Sequence, residues 1–108
     1  MTVNEFVEKY ELSPIVLPDP ERSISGCYIG DLLSWVMGRA RENNVWITIM
    51  SNVNTVAVAS LSDVSLVILA EGVTLDENIA STAGMKGVNI VTSPLPAYET
   101  ALKIRSDV

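Results

Sequence analysis

The amino-acid sequence predicts an α/β domain with a mostly parallel sheet and crossover helices. Three apolar segments, residues 45–50, 66–70 and 88–92, have the composition of strands buried on both faces. Segments with apolar residues at helical spacing alternate with them, which is typical of parallel sheets. The length of 108 residues fits a single domain. We divide it into an N-terminal helix and proline-rich loop at 1–23 and a core at 24–106.

Composition excludes several classes of function. Hydrophobic residues make up 48% of the chain and charged residues 19%, which is typical of a globular protein and not of a disordered one. The net charge of −6 disfavours nucleic acid and anionic membranes as partners, and the longest apolar run, at 66–70, is too short to span a bilayer. Since the chain has no histidine, it cannot carry Ser-His-Asp or Cys-His catalysis. The single cysteine, Cys27, fits a reducing cytoplasm, and we expect no cofactor and no bound metal.

The N-terminal elements are predicted from capping and breaker residues. Thr2 and Glu5 have the spacing of a capping box at the start of a helix, which the proline-rich segment 13–20 ends. One face of this helix is apolar, with Val3, Phe6, Val7 and Tyr10. We interpret 13–20 as a loop, although the short apolar runs 15–17 and 25–29 also fit strands.

Helix and strand alternate in the middle of the chain. Apolar residues recur at helical spacing at Leu32, Leu33, Val36, Met37 and Ala40. Asp31 is placed to cap that helix, and the strand 45–50 follows it. Residues 55–61 are ambiguous by pattern, because their valines favour a strand whereas Asn54 followed by small residues favours a capped helix.

The C-terminal part of the chain repeats this order. After the strand 66–70, Thr74 and Glu77 have capping-box spacing at the start of a helix that Gly84 or Gly87 ends. The third buried strand comes next, and the prolines that follow it lead into a last helix.

Polar residues cluster where the predicted strands end. Parallel strands place their carboxyl ends at one edge of the sheet, where loops expose backbone N–H groups and ligands commonly bind. The sequence therefore predicts a ligand-binding rim composed of Gly30, Asp31, Ser51, Asn52, Asn54, Glu71, Gly72 and Ser93. The same residue types also form turns and helix caps, so a purely structural role for these residues stays open.

Residues 26–104 resemble the DRTGG domain family, which is related to the N-terminal domain of HPr kinase/phosphorylase. The resemblance rests on the strands 45–50 and 66–70 and on two further segments, Gly30-Asp31-Leu32-Leu33-Ser34-Trp35-Val36-Met37 and Ile90-Val91-Thr92-Ser93 followed by Tyr98-Glu99-Thr100-Ala101. It implies the fold of that N-terminal domain and a helix at 54–61, which decides the ambiguous segment.

The sequence departs from the family at two motif positions. Met50, Ser51 and Asn52 stand where the family has Gly-Asp-Arg, and Ala70, Glu71 and Gly72 stand where it has Thr-Gly-Gly. The missing arginine and the added Glu71 carboxylate weaken phosphate binding at the rim. Kinase activity among relatives of the family needs a glycine loop ending in Gly-Lys-Ser or Gly-Lys-Thr, and this chain has none.

Two hypotheses of function follow. The first, which we favour, is a non-catalytic regulatory module that docks on a partner protein or senses a small metabolite at the rim through a population shift. The second is an enzyme, or a protein related to phosphotransfer, that uses Asp31 and Glu71 as acid–base groups or as ligands for a hard cation such as magnesium.

The two tryptophans bear on assembly. Trp35 and Trp46 either fill the core or mark a partner surface. Trp35 lies slightly off the apolar stripe of its helix and could extend an apolar face to a second subunit. Because the chain is rich in apolar residues for its size, we predict a homodimer.

Overall fold

Five strands and five helices build the fold, and the computed structural model describes all residues, 1–108. The strands are β1 Ser13–Val16, β2 Cys27–Ile29, β3 Val45–Thr48, β4 Leu66–Leu69 and β5 Ile90–Thr92. The helices are α1 Val3–Lys9, α2 Leu33–Arg39, α3 Val53–Leu61, α4 Glu77–Met85 and α5 Ala97–Ile104, and a 3-10 turn at Arg105–Asp107 follows α5. The strand order is β1-β5-β4-β3-β2. β2 to β5 are parallel and β1 is antiparallel to β5, so the predicted fold class is confirmed.

The sheet lies between two layers of helices, with α1 and α5 on one face and α2, α3 and α4 on the other. Successive residues of a strand point to opposite faces, which explains why β3 and β4 are buried at every position. Trp46 and Leu69 pack toward the three-helix layer, whereas Ile47 and Ile68 pack toward α1 and α5. None of the helices combines the length and hydrophobicity that a membrane-spanning helix requires.

Residues 1–23 share the core of residues 24–106. The predicted capping box is present, since the Thr2 hydroxyl accepts from the Glu5 N–H and the Glu5 carboxylate accepts from the Thr2 N–H. Phe6 is fully buried against β3, β4 and α5 residues. We interpreted 13–20 as a loop, but its first part is the edge strand β1. An edge strand tolerates a proline, because a backbone N–H on its outer side would have no strand to bond to.

The helix starts differ from the sequence-based predictions in three places. Asp31 does not cap α2, whose N-cap position is Leu32 without a side-chain bond. The helix at 54–61 is confirmed, but its cap is the Asn52 side chain, which accepts from two backbone N–H groups of the first turn. The predicted capping box at Thr74 is wrong, because α4 begins after Asp76. The reason lies in packing, since Leu75 contacts the core from non-helical backbone just before the helix.

A group of three polar side chains connects the two ends of the chain. The Asp107 carboxylate accepts from Lys9 Nζ at 2.6 Å and from the Tyr10 hydroxyl. The Lys9 ammonium and the Tyr10 hydroxyl hold the pKa of Asp107 below its ordinary value of 3.8. The same carboxylate raises the pKa of Lys9 and of Tyr10. The bonds to Thr2 lower the pKa of Glu5 at the other end of α1.

These shifts predict that the free energy of unfolding falls in both strong acid and strong base. A carboxyl group with a lowered folded-state pKa stabilises the fold above its unfolded pKa, and that contribution is lost as the pH falls through the folded value, here below about 4. For Lys9 and Tyr10 the raised pKa works in the opposite sense, so their contribution is lost as the pH rises above about 10. We expect Asp107→Asn to flatten both slopes in a pH series of urea unfolding. Unchanged slopes would contradict the assignment.

Candidate functional site

The carboxyl ends of β2, β3, β4 and β5 lie at one edge of the sheet, because these four strands are parallel. The loops that leave this edge contain seven of the eight residues of the predicted rim, and Asn54 lies in the first turn of α3. We call this region the strand-end edge and define it as residues 29–32, 49–54, 70–76 and 92–96.

Asp31 joins the first two loops of the strand-end edge. Its Oδ1 accepts from the Thr48 hydroxyl at 2.7 Å and from the Ile49 N–H at 3.0 Å. The neighbouring Gly30 carbonyl accepts from the buried indole Nε1 of Trp46 at 2.9 Å. These three bonds connect the β2–α2 loop to β3 or to the residue after it, so this loop is fixed by tertiary contacts. Asp31 Oδ2 has no hydrogen-bond partner in the structure.

The β3–α3 loop carries Ser51 and Asn52, and Asn54 follows in the first turn of α3. The Asn52 side chain is committed to capping, with Oδ1 at 2.9 Å from the Asn54 N–H and 3.3 Å from the Thr55 N–H. Ser51 is half-buried and Asn54 is exposed. Ser51 and Asn54 therefore keep side-chain groups for a ligand, whereas Asn52 shapes the loop.

The last two loops are joined through their backbones. Glu71 and Gly72 both have left-handed conformations, with φ of 61° and 69°, and their N–H groups donate to the carbonyls of Leu95 at 2.9 Å and Ser93 at 2.8 Å. Gly72 meets this backbone requirement without the steric strain that a side chain adds. Glu71 meets it at some cost and presents its carboxylate to solvent.

The Ser93 side chain is directed into the protein. Ser93 is 2% exposed, and its Oγ lies 3.1 Å from Thr100 Oγ1 in α5 and accepts from the Leu95 N–H. Its role in the structure is to fix the turn before α5. A ligand at this end of the edge would meet the loop backbone and not the Ser93 hydroxyl.

The two carboxylates of the enzyme hypothesis belong to different parts of the strand-end edge. Asp31 follows β2 and Glu71 follows β4, and β3 lies between those strands, which places the strands about 10 Å apart. No group of three acidic or thiol side chains is arranged to hold a metal ion. The geometry does not favour acid–base or metal chemistry that would need Asp31 and Glu71 to act together.

The electrostatic character of the strand-end edge is acidic. Its loops contain Asp31, Glu71 and Asp76 and no lysine or arginine. A phosphate group at this edge would meet backbone N–H groups without a cationic side chain to neutralise it.

Exposed apolar side chains are the feature that the sequence analysis missed. Ile29, Leu32, Ile49 and Val53 are each about half-exposed or more, and all four lie in or directly beside the first two loops of the edge. The structure contains no enclosed pocket, so these side chains form an open surface. Ile29 is exposed because it ends β2, an edge strand with a neighbour on one side only, which the sequence does not show.

Cys27 has no reactive character. The thiol is free and half-buried in β2, and burial raises its pKa to about 11. The thiolate is therefore scarce at neutral pH.

Comparison with solved structures identifies the fold. The chain is similar to the CBS and DRTGG domains of the regulatory region of a Clostridium perfringens pyrophosphatase, crystallised in complex with its activator diadenosine tetraphosphate. The TM-score is 0.73 at 14% sequence identity, and the match covers 98% of this chain and 46% of the other, so this chain spans about half the length of that regulatory region. No protein-family model matches the sequence, and no curated protein matches it. The resemblance drawn from the sequence is confirmed at the level of structure: this chain has a DRTGG-like fold.

Proposed function

We propose that this protein is a non-catalytic regulatory module that senses a small metabolite at the strand-end edge. The observation that carries the proposal is the edge itself, in which tertiary hydrogen bonds fix the loops while Glu71 and Ile49 are exposed and Ser51 is half-buried. The similarity to a regulatory region crystallised with a nucleotide activator supports the same class of role.

The acidic charge of the edge favours contacts with the base of a nucleotide over contacts with its phosphates. Ser51 and Glu71 follow adjacent strands, which lie about 5 Å apart. The Glu71 carboxylate accepts hydrogen bonds from N–H donors, such as an exocyclic amine, and Ile49 offers an apolar surface for a base. Without cationic side chains, the edge has little to bind a polyphosphate. We therefore favour a nucleoside-like ligand whose base makes the main contacts.

The proposed mechanism is a population shift in a cytoplasmic homodimer. A ligand that binds one arrangement of the loops more tightly than another moves the equilibrium toward that arrangement. Short hydrogen bonds connect each loop to a neighbouring element, such as those between Asp31 and Thr48 and between Gly72 and Ser93. A ligand that binds one loop can therefore change the conformation of the next. A partner protein that reads this change would complete the regulatory role. Direct docking of a protein on the exposed apolar residues of the edge is the second candidate, because that surface is open.

The proposal predicts stabilisation by adenosine. At 100 times the dissociation constant, a ligand that binds only the folded state adds about 2.7 kcal/mol to the free energy of unfolding, which raises the melting temperature by several degrees. We expect this in a thermal-shift series with adenosine, AMP, ATP and diadenosine tetraphosphate, with inorganic tripolyphosphate giving no stabilisation.

Matched variants locate the binding. Glu71→Gln and Ser51→Ala should each reduce the shift, whereas Glu42→Gln and Ser60→Ala, which change the same residue types at exposed positions away from the edge, should leave it unchanged. A response that is the same in all four variants would contradict the assigned site. No response to any of the nucleosides would contradict ligand sensing and favour protein docking.

A further inference from the structure

The outer face of α2 combines apolar exposure with little charge. Trp35 is 53% exposed and Leu32 is 60% exposed, and the two are three residues apart, so they are neighbours on the helix surface. Six of the twelve exposed large apolar residues of the chain come from residues 29–53. Large apolar side chains concentrated in one region of a surface indicate an interaction site.

No contact within the chain explains why position 38 is a glycine. It lies in α2 without a left-handed φ, and an added Cβ would meet no atom within 4 Å. Glycine lowers helix stability relative to alanine, and nothing inside this molecule requires it at this position. A close approach by another molecule would require it, and Gly38 is three residues from Trp35 on the same face.

Two charged side chains at the ends of α2 have hydrogen-bonding atoms available to a second molecule. The Arg39 guanidinium lies over the Trp35 ring, 3.8 Å from its centroid, and forms no salt bridge. Asp31, just before the helix, has one carboxylate oxygen without a partner. The stack holds the Arg39 side chain in place with its N–H donors free to bind a carboxylate.

We propose that α2 is the interface of a symmetric homodimer in which the α2 helices of two copies pack antiparallel with Trp35 at the two-fold axis. An isologous interface needs a self-complementary surface, and the sequence around Trp35 provides one. An antiparallel alignment centred on residue 35 brings residue 31 of one copy level with residue 39 of the other, and residue 32 level with residue 38. Asp31 then meets Arg39 of the second copy, and Leu32 packs over the space that Gly38 leaves.

The segment around α2 avoids the charge repulsion that the acidic chain as a whole would produce between two copies. The chain has a net charge of −6, so two molecules repel each other over most of their surfaces. Residues 24–40 contain Asp31 and Arg39 as their only charged residues, a net charge of zero. This segment can therefore meet a second copy without net like-charge repulsion.

The interface must extend beyond α2 to reach the size of a stable dimer interface. A standard interface buries about 800 Å² on each partner, about one seventh of the 5573 Å² surface of this chain. The α2 face supplies part of this area, and the exposed side chains of Ile29, at the end of β2, and Val53, at the start of α3, extend it. The interface specifies the homodimer of the proposed function and does not depend on the metabolite.

Sedimentation velocity over a concentration series tests the interface. We expect the protein at tens of micromolar to sediment at twice its mass of 11.7 kDa. Trp35→Glu, Arg39→Glu and Gly38→Gln should each weaken association by about tenfold or more. Thermal unfolding should show that these exposed substitutions leave the monomer folded, and Gly38→Gln should raise its melting temperature. Arg41→Glu makes the same charge change as Arg39→Glu outside the interface and should have a much smaller effect.

A double-mutant cycle tests the cross-subunit pair. Asp31→Asn keeps the acceptor oxygen for Thr48 and Ile49 but removes the charge, so Arg39→Glu should weaken association less in that background than in the wild type. Equal losses in both backgrounds would overturn the pair. A single 11.7 kDa species at tens of micromolar, or a dimer that none of the three α2 substitutions affects, would overturn the interface. The ligand-dependent melting temperatures would still report separately on metabolite sensing.

Discussion

Trp46→Ala is expected to lower the free energy of unfolding by about 3–5 kcal/mol, the range for removing a fully buried aromatic side chain. Trp46 has no exposed surface and lies in the cluster between β3 and the α2–α4 layer. Its indole N–H also donates to the Gly30 carbonyl. The substitution therefore leaves a cavity in the core and releases the loop that begins the strand-end edge. Urea unfolding followed by circular dichroism measures the loss.

Two control variants separate the cavity from the hydrogen bond. Trp46→Phe keeps an aromatic ring in the core but removes the N–H and part of the indole volume, so it should cost about 1–2 kcal/mol, less than Trp46→Ala. Trp35→Ala removes the same side chain from an exposed position and should change monomer stability by about 0.5 kcal/mol or less, measured at concentrations too low for association. If Trp46→Ala and Trp35→Ala had similar effects, the placement of Trp46 at the centre of the core would be wrong.

The sequence was sufficient to predict the sheet because the buried strands are unusual in composition. Residues 45–50 and 66–70 lack polar alternation, and only a strand covered on both faces tolerates that pattern in a small domain. Parallel strands then place their ends at one edge. The loops of the rim could be located from the sequence for this reason, although the part that each side chain plays could not.

The cap residues show why the side-chain roles were harder to predict. An aspartate before a helical apolar pattern fits a cap, but Asp31 binds Thr48 and Ile49 of the neighbouring strand and loop instead. That choice depends on which strand lies beside β2, and this is a tertiary fact. Ser93 is similar, because its partner Thr100 comes from a helix that folds back over it. Local patterns predict polar residues at loops and do not predict their partners.

The exposed apolar residues could not be predicted for a related reason. Ile29 and Ile47 pair in adjacent strands and carry the same side chain, yet Ile29 is half-exposed and Ile47 is fully buried. The difference is position, since β2 is an edge strand and β3 is covered by β2, β4 and the helices. Hydrophobicity shows that a side chain can be buried, and the topology decides whether it is.

Asn89→Ala is expected to lower the free energy of unfolding by about 2–3 kcal/mol, which is large for an asparagine. Asn89 is 1% exposed and uses both ends of its amide. Its Nδ2 donates to the carbonyls of Asp19 at 2.8 Å and Ser65 at 2.9 Å, and its Oδ1 accepts from the Asp19 N–H at 2.9 Å. The side chain thus attaches the proline-rich segment to the amino-terminal ends of β4 and β5. Alanine removes all three bonds and leaves the segment without this anchor, while the Asp19 carbonyl keeps only its bond from the Arg22 N–H at 3.4 Å.

Asn89→Asp gives an independent test of the same bonds. A carboxylate at this position would face two carbonyl oxygens that it cannot bond, so the variant should be destabilised at neutral pH. It should partly recover as the pH is lowered, because burial and the two acceptors raise the pKa of the new carboxyl and the protonated form can donate once. Asn78→Ala, an exposed asparagine of α4 whose side chain makes no bond, is the matched control and should be nearly neutral. Equal effects of Asn78→Ala and Asn89→Ala would mean that the proline-rich segment is held by its apolar contacts and not by Asn89.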